Sequence, residues 1–340
     1  MGKYQHRSAK YCRGGERIGG GLLTQKVIMQ VIRFDQNPII RPQLDECIGT
    51  NINGPSLVRT PSWLPEPLGR YYLYFAHHKG RFIRLAYADQ LAGPWRVHSP
   101  GTLALEQSFF CTSPPPRTVL ANLGTQPTTE SETDRLAPHI ASPDVHIDEA
   151  AREIRMYYHG LRDDGSQRTR IAISSDGLHY TARAEILALP YLRAFHYDDN
   201  WYGLAMPGVL YRSRDGLTDF ERGPQIFGDA MRHAALQRRG NTLRIFWTRV
   251  GDAPERILCS TMEFTPDWLQ WQASPPAEVL RPETAWEGAD LPVEASLRGA
   301  INGPVSQLRD PCVFEDSDGS AYLLYAVAGE SGIAIASLDG

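Results

Sequence analysis

Carboxyl, imidazole and guanidinium groups recur in this chain at two kinds of place, just ahead of a short apolar run or just behind one. Ahead of such runs stand Asn53 in "INGPSLVR", Asp144 in "SPDVHID", His196 in "RAFHYDD", His233 in "MRHAALQ" and Asp310 in "LRDPCVF", with Arg193, Arg232 and Arg309 beside them. Behind such runs stand His77 and His78 in "LYFAHHKG", His159 in "MYYHG", Arg249 in "FWTRVG" and Glu330 in "AVAGESG". Carboxylic acids among imidazoles and arginines suit proton transfer with charge neutralisation. Other chemistries lack their residues: "GESG" is one residue short of the nucleophile-elbow spacing, and no His-Glu-x-x-His, Cys-x-x-Cys or Gly-x-x-x-x-Gly-Lys occurs.

The elements that must position these groups are strands. Few windows show apolar residues at i, i+3, i+4 and i+7, whereas β-branched and aromatic runs bounded by Gly, Asp and Pro recur throughout. One unit can be followed five times: a strand, a turn, a second strand rich in Tyr or Trp, a polar hinge, and a third strand of small and aliphatic residues. "GPSLVRT", "RYYLYFAHHKG" and "RFIRLAYADQLAGPW" form the first copy; "RDPCVFEDSDG", "SAYLLYAVAGES" and "GIAIASL" form the last. Units of this kind cannot cover their own apolar faces, so they stack as blades around an axis. The sequence predicts an all-β, five-bladed β-propeller over residues 34–340, with residues 1–33 a loosely held tail. A propeller brings the lead-in to each innermost strand and the hinge between its second and third strands to one face. The polar residues named above should therefore meet there, and the two copies of "INGP", at Ile52–Pro55 and Ile301–Pro304, should each open an innermost strand. Asp176 and Asp215, in "SSDGLHY" and "SRDGLTDF", read as turn residues. The Pro/Thr/Ser-rich stretch from Ser99 to Pro138 reads as the outer edge of the first blade followed by a long loop.

Bulk composition narrows the partners. At 340 residues and 42% hydrophobic the chain can bury a large core, and a net charge of -4 with no basic, aromatic-interleaved run argues against nucleic acid. No stretch reaches membrane-spanning length, and five scattered cysteines do not form a disulfide framework, which fits a reducing cytoplasm. A small or uncharged ligand is expected, and no cofactor is required.

Three segments, in this order, resemble the five-bladed propeller glycosidases, the group holding glycoside hydrolase families 43, 62, 32 and 68. "GPSLVR" with "GRYYLYFAHH" is similar to their first-blade Asp-Pro-Ser lead-in and aromatic strand, "SPDVHID" to an Ala-Pro-Asp/Glu lead-in, and "LRDPCVFEDSDGSAYLLYAV" to an Arg-Asp-Pro lead-in with its Asp-Gly turn. The chain departs from the pattern at the first-blade base, where Gly54 stands with Asn53 beside it. The resemblance implies a glycoside hydrolase that cleaves a terminal bond, and the residues gathered by the ring offer Asp144 and Asp310 for the ionised group, Arg309 to keep Asp310 charged, and Glu330 for the acid. Asn53, His78, His159, Arg193, His196, Arg232, His233, Arg249 and Arg309 would then bind an oligosaccharide substrate, and His233 could anchor a Ca²⁺ on the axis. A polysaccharide lyase acting on uronates, with a His or Tyr base and arginine clamps, is a second reading. A non-catalytic sugar-binding propeller is a third.

Overall fold

The computed structural model describes residues 8–11, 28–116, 136–301 and 303–339. In chain order its strands are β1 (Ser8–Tyr11) and β2 (Ile28–Arg33); β3 (Asn53–Arg59), β4 (Tyr71–Ala76), β5 (Phe82–Ala88) and β6 (Arg96–Ala104); then β7 (Ile140–Asp148), β8 (Glu153–Leu161), β9 (Gln167–Ser174) and β10 (Thr181–Ala182). They continue with β11 (Arg193–Tyr197), β12 (Asn200–Ala205), β13 (Val209–Ser213) and β14 (Glu221–Gln225); β15 (Met231–Arg239), β16 (Thr242–Arg249), β17 (Ile257–Glu263) and β18 (Ala277–Leu280); and finally β19 (Arg309–Glu315), β20 (Ala321–Val327) and β21 (Gly332–Asp339). Four sheets take four consecutive strands each, and the fifth runs β1-β2-β21-β20-β19. These are the five blades of a propeller, as the repeat predicts.

The second strand of each blade explains the aromatic signature. Every residue of β4, "YYLYFA", is buried, because a middle strand is covered on both faces by the neighbouring blades. Five apolar clusters hold the ring, one at each junction. Leu73 and Phe75 meet Phe314 and Ile335 between blades five and one, while Tyr74 and Leu85 meet Met156 between blades one and two. Tyr157 and Ile171 meet Leu192 and Val209, Tyr202 and Leu204 meet Ile245 and Trp247, and Phe246 and Ile257 meet Leu323 and Tyr325. A cluster between the last blade and the first closes the circle.

Closure uses a piece of chain that the sequence assigned to the tail. Ile28–Arg33 pairs antiparallel with β21, Val31 opposite Leu338, and packs Met29 and Val31 into the junction of blades four and five. The strand was missed because "IMQVIR" is one short run without a repeat of its own. Residues 1–7 and 12–27 of the expected tail, and 117–135 of the expected long loop, lie outside the described residues. Asp176 and Asp215 are turn residues as read: Oδ1 of Asp176 accepts from the backbone of Leu178 and His179, and Oδ1 of Asp215 from that of Leu217 and Thr218.

Four of the five innermost strands start with an irregularity. The pairing register shifts between Asn53 and Ser56, Ala141 and Asp144, Arg232 and Ala234, and Arg309 and Cys312. At each shift one residue has a left-handed backbone: Gly54 (φ 59°), Ser142 (51°), His233 (39°) and Asp310 (47°), with Tyr191 (59°) just ahead of β11. A bulge residue needs no ladder partner, which is why Pro55, Pro143 and Pro311, lacking an N–H, follow three of them. The second "INGP" does not occupy such a place. Its Asn302 lies outside the described residues, and Gly303 and Pro304 belong to the connection before β19. The fifth-blade counterpart of Asn53-Gly54-Pro55 is Arg309-Asp310-Pro311.

Candidate functional site

Left-handed conformations on non-glycine residues cost about 1–3 kcal/mol each and collect where function requires them. Here Ser142, Tyr191, His233 and Asp310 collect around one end of the axis, where the innermost strands start. The hinges reach the same end, and together they form a ring of side chains. His78 Nδ1 lies 3.7 Å from Glu330 Oε1. Its ring lies parallel to that of His139, with centroids 6.3 Å apart, and His139 contacts His159 at 5.6 Å. His159 stacks on Tyr191 at 4.2 Å, and Tyr191 meets His233 at 5.1 Å. His233 Nε2 lies 3.5 Å from Asp310 Oδ1. Asn53, His78, His159, Arg232, His233, Arg309, Asp310 and Glu330 of the expected residues therefore converge.

The two carboxyls in this ring have opposite surroundings. Glu330, 2% exposed, is held by donors on both oxygens: Arg309 Nη1 donates to Oε1 at 2.9 Å, and Asn51 and Asn53 donate to Oε2 at 2.6 and 3.1 Å. Burial alone would raise its pKa, but His78, Arg309 and Asn51 outweigh it and hold Glu330 well below the carboxylate range. Asp310, equally buried, receives no hydrogen bond among the described residues. Burial first and the neighbouring Glu330 charge second push it up to about 7, against the pull of Arg232, Arg309 and Arg193. The sequence expected Asp310 ionised and Glu330 as the acid, whereas these surroundings shift the two in the opposite order, Asp310 upward and Glu330 downward. The imidazoles of His159 and His233 are kept neutral. Burial, then the Arg232 and Arg309 charges, hold His233 far below its usual range; burial, then His139, does the same for His159. His77 lies beside the ring, its Nδ1 accepting from the Lys79 amide, and burial with the Arg84 charge lowers it to about 4.

Several members of the cluster escaped the sequence reading. Glu255, 0% exposed, is ion-paired with Arg309 Nε at 2.9 Å and accepts from Ser296 Oγ at 2.6 Å. It sits at the β16–β17 hinge, so the rule that found Glu330 could have found it in "GDAPERI". Tyr191 is the third-blade counterpart of Gly54 and Asp310, and its place ahead of β11 was the available signal. His139 lies just before β7, and Asn51 just before β3. The connection between β18 and β19 covers the cluster: Arg232 donates to the carbonyls of Leu297 and Gly299, and Arg309 to that of Gly299. Arg298 donates to Asp229 O at the blade-four lead-in and lies 3.1 Å from Met206 Sδ at the blade-three hinge.

Four expected residues lie elsewhere. His196 is exposed near the end of β11, its ring 5.7 Å from Trp201. It was misplaced because it was taken for the start of β11, which is Arg193. Arg249 lies over the Trp247 ring at 5.1 Å rather than in the cluster. Asp144 and Arg193 line a separate cavity of about 580 Å³ at the other end of the axis, where the innermost strands finish. Two residues beyond each bulge position stand Ser56, Asp144, Ala235 and Cys312, small side chains that leave this shaft open. Arg193 crosses its inner end, donating from Nε to Ala234 O at 2.9 Å and from Nη1 to Pro143 O.

A Ca²⁺ at His233 does not fit. Ca²⁺ takes six to eight oxygen ligands, whereas His233 is approached by Arg232 Nη2 at 3.1 Å, and the Arg309 and Arg193 charges act on it. Among the described residues no three His, Cys, Asp or Glu side chains group to hold a metal.

Solved structures share the architecture at low identity. A GH43 β-xylosidase/α-arabinofuranosidase from a compost metagenome, in complex with xylotriose, aligns with a TM-score of 0.55 and 11% identity over 91% of this chain and 94% of that one. A GH43 enzyme of Xanthomonas citri, also with xylotriose, gives 0.54 and 12% over 86% and 88%, and an endo-1,4-β-xylanase of Bacteroides thetaiotaomicron gives 0.54 and 11% over 86% and 95%. The likeness is one of fold, and it bears out the five-bladed propeller as this chain's architecture. No model of an established family matches the chain. At 40% identity over 337 residues, covering 91% of this chain and 90% of its relative, the protein belongs to the family of the uncharacterized protein R118 of Acanthamoeba polyphaga mimivirus.

Proposed function

We propose that the protein hydrolyses a glycosidic bond at the strand-start end of the axis, with Asp310 as the proton donor and Glu330 as the ionised partner. One observation carries the reading: two buried carboxyls in one cluster have their ionisation pushed apart, Asp310 upward and Glu330 downward. Glycoside cleavage uses that division, a carboxylic acid for the leaving oxygen and a carboxylate for the positive charge that develops at the anomeric carbon. Asp310 gives its proton to the departing oxygen as the bond to the anomeric carbon breaks, a water oxygen bonds to that carbon, and the proton shed by the water returns to Asp310. Glu330, fixed by Asn51, Asn53 and Arg309, is a weak base and a well-placed negative charge. Tyr191 and the neutral imidazoles of His159 and His233 offer hydrogen-bonding groups to sugar hydroxyls. Reaching the pair requires the β18–β19 connection to move aside. The shared fold with GH43 enzymes, two of them described with xylotriose, supports a sugar substrate.

The test is a panel of aryl-furanosides, aryl-pyranosides and natural oligosaccharides, with reducing ends measured for the wild type, Asp310→Asn and Glu330→Gln. Asp310→Asn should spare aryl glycosides with good leaving groups and cripple natural linkages, whereas Glu330→Gln should damage both. Folded wild-type protein that releases no reducing end from any substrate would overturn the reading.

A further inference from the structure

At the opposite end of the axis the shaft presents a different device. His146 Nε2 lies 2.8 Å from Asp144 Oδ2, which also accepts from the Ala194 amide at 2.7 Å, and Arg193 Nη1 stands 3.7 Å from Asp144 Oδ1. Burial would raise Asp144, but His146 and Arg193 hold it below the usual carboxylate range, and His146 donates to it through Nε2. Nδ1 has no partner among the described residues, and His146 is packed edge-on against Tyr157 and Trp201 at 5.8 and 5.7 Å. The ring is thereby fixed on the cavity wall with one polar nitrogen still to be satisfied. Arg193, 4% exposed, lines the same cavity and leaves Nη2 unpaired.

We propose that this shaft is a second ligand site, for an uncharged mono- or disaccharide, built on the Asp144–His146 pair. Its volume, about 580 Å³, falls within the roughly 300–1,000 Å³ of small-molecule sites. Four carboxylates, Asp144, Glu149, Glu315 and Asp316, against two arginines, Arg59 and Arg193, set it against anions. Arg59 is paired with Asp316 at 2.7 Å and Arg193 stands by Asp144, so the wall offers donors and acceptors side by side, as hydroxyls require. Between them lie Leu57, Val145, Leu236 and Val313, an apolar surface for the C–H faces of a sugar ring. The proposal stands apart from the Asp310–Glu330 reading, because neither carboxyl lines this cavity.

The experiment is calorimetric titration of the full-length protein with xylobiose, cellobiose, glucosamine and glucuronate. At least one neutral disaccharide should bind, more tightly than glucuronate. His146→Phe, which keeps the ring packing and removes both ring nitrogens, should weaken binding about tenfold, and Ala235→Leu, which narrows the shaft from another blade, should weaken it too. Asp310→Asn should leave it unchanged, and thermal unfolding confirms that each variant is folded. Absence of neutral-sugar binding, preference for glucuronate, or affinity lost in Asp310→Asn yet kept in both His146→Phe and Ala235→Leu would overturn the proposal.

Discussion

The two ends of one axis are built on the same five strands and differ in almost everything else. At the strand-start end, bulged residues and hinge residues fill the centre with ionisable groups that are nearly all buried, among them Arg309 and Glu255 at 0% exposure. At the strand-finish end, Ser56, Ala235 and Cys312 leave a shaft of about 580 Å³ with one Asp–His pair on its wall. The difference teaches where such a fold places perturbed chemistry. Two residues along an innermost strand separate Asp310, which faces the Glu330 charge in the closed cluster, from Cys312, a buried thiol that lines the opening.

The sharpest way to break this comparison is by turnover. Glu330→Gln should reduce kcat by about two to four orders of magnitude, on the scale of lost acid–base groups. Asp144→Asn, at the far end, should leave kcat within a few-fold. Comparable losses in the two variants would mean that the ends act as one site.

A second effect belongs to the closed end alone. Asp310 binds its proton up to about pH 7 in the folded state, against 3.8 for the free group, so the folded state holds more protons between these values and stability falls as pH rises through that window. Asp310→Asn has no such loss. Its melting temperature relative to wild type should climb by several degrees between pH 4 and pH 8 in buffered thermal unfolding, and wild-type activity should decline above about pH 7. A difference that stays flat with pH would place the perturbed proton elsewhere.

Smaller effects sharpen the backbone part of the contrast. Gly54 and Gly240 share nearly the same φ, 59° and 57°, but a Cβ on Gly54 would stand 3.1 Å from Ser142 Cα while one on Gly240 meets nothing within 4 Å. Gly240→Ala should cost about 1 kcal/mol. Gly54→Ala should cost about 1–2 kcal/mol more, seen in denaturant unfolding, because the axis end cannot yield. The least effect is expected at the rim of the open end. Arg239 and Glu315 pair at 2.8 Å with both side chains about two-fifths exposed, and Arg239→Ala should change stability by less than about 1 kcal/mol.

The blades were legible because their signals are local. Aromatic second strands, Asp-Gly turns and spacing suffice to count them, and the five apolar junctions follow from that count. The centre was legible only where position could be inferred from strand starts and hinges. Asp310, Glu330, Asn53 and His233 obeyed that rule, whereas His196 and Asp144 failed it by a residue or two, enough along a bulged strand to carry a side chain to the other end of the axis. Protonation was not legible at all. Which carboxyl keeps its proton depends on how many donors reach it, and Asn51, Asn53 and Arg309 approach Glu330 from as far as 279 residues away in sequence.

The pairing of β2 with β21 carries a further consequence for how the site comes into being. The sheet that bears both Asp310 and Glu330 is assembled from the two most distant parts of the fold, Val31 against Leu338. Pairing across so long a loop costs chain entropy that only the finished contacts repay. Four blades are built from neighbouring segments alone, whereas the fifth adds β2 to its consecutive β19, β20 and β21. The segment Ile28–Arg33, which carries none of the candidate groups, is thereby part of what holds their environment in place.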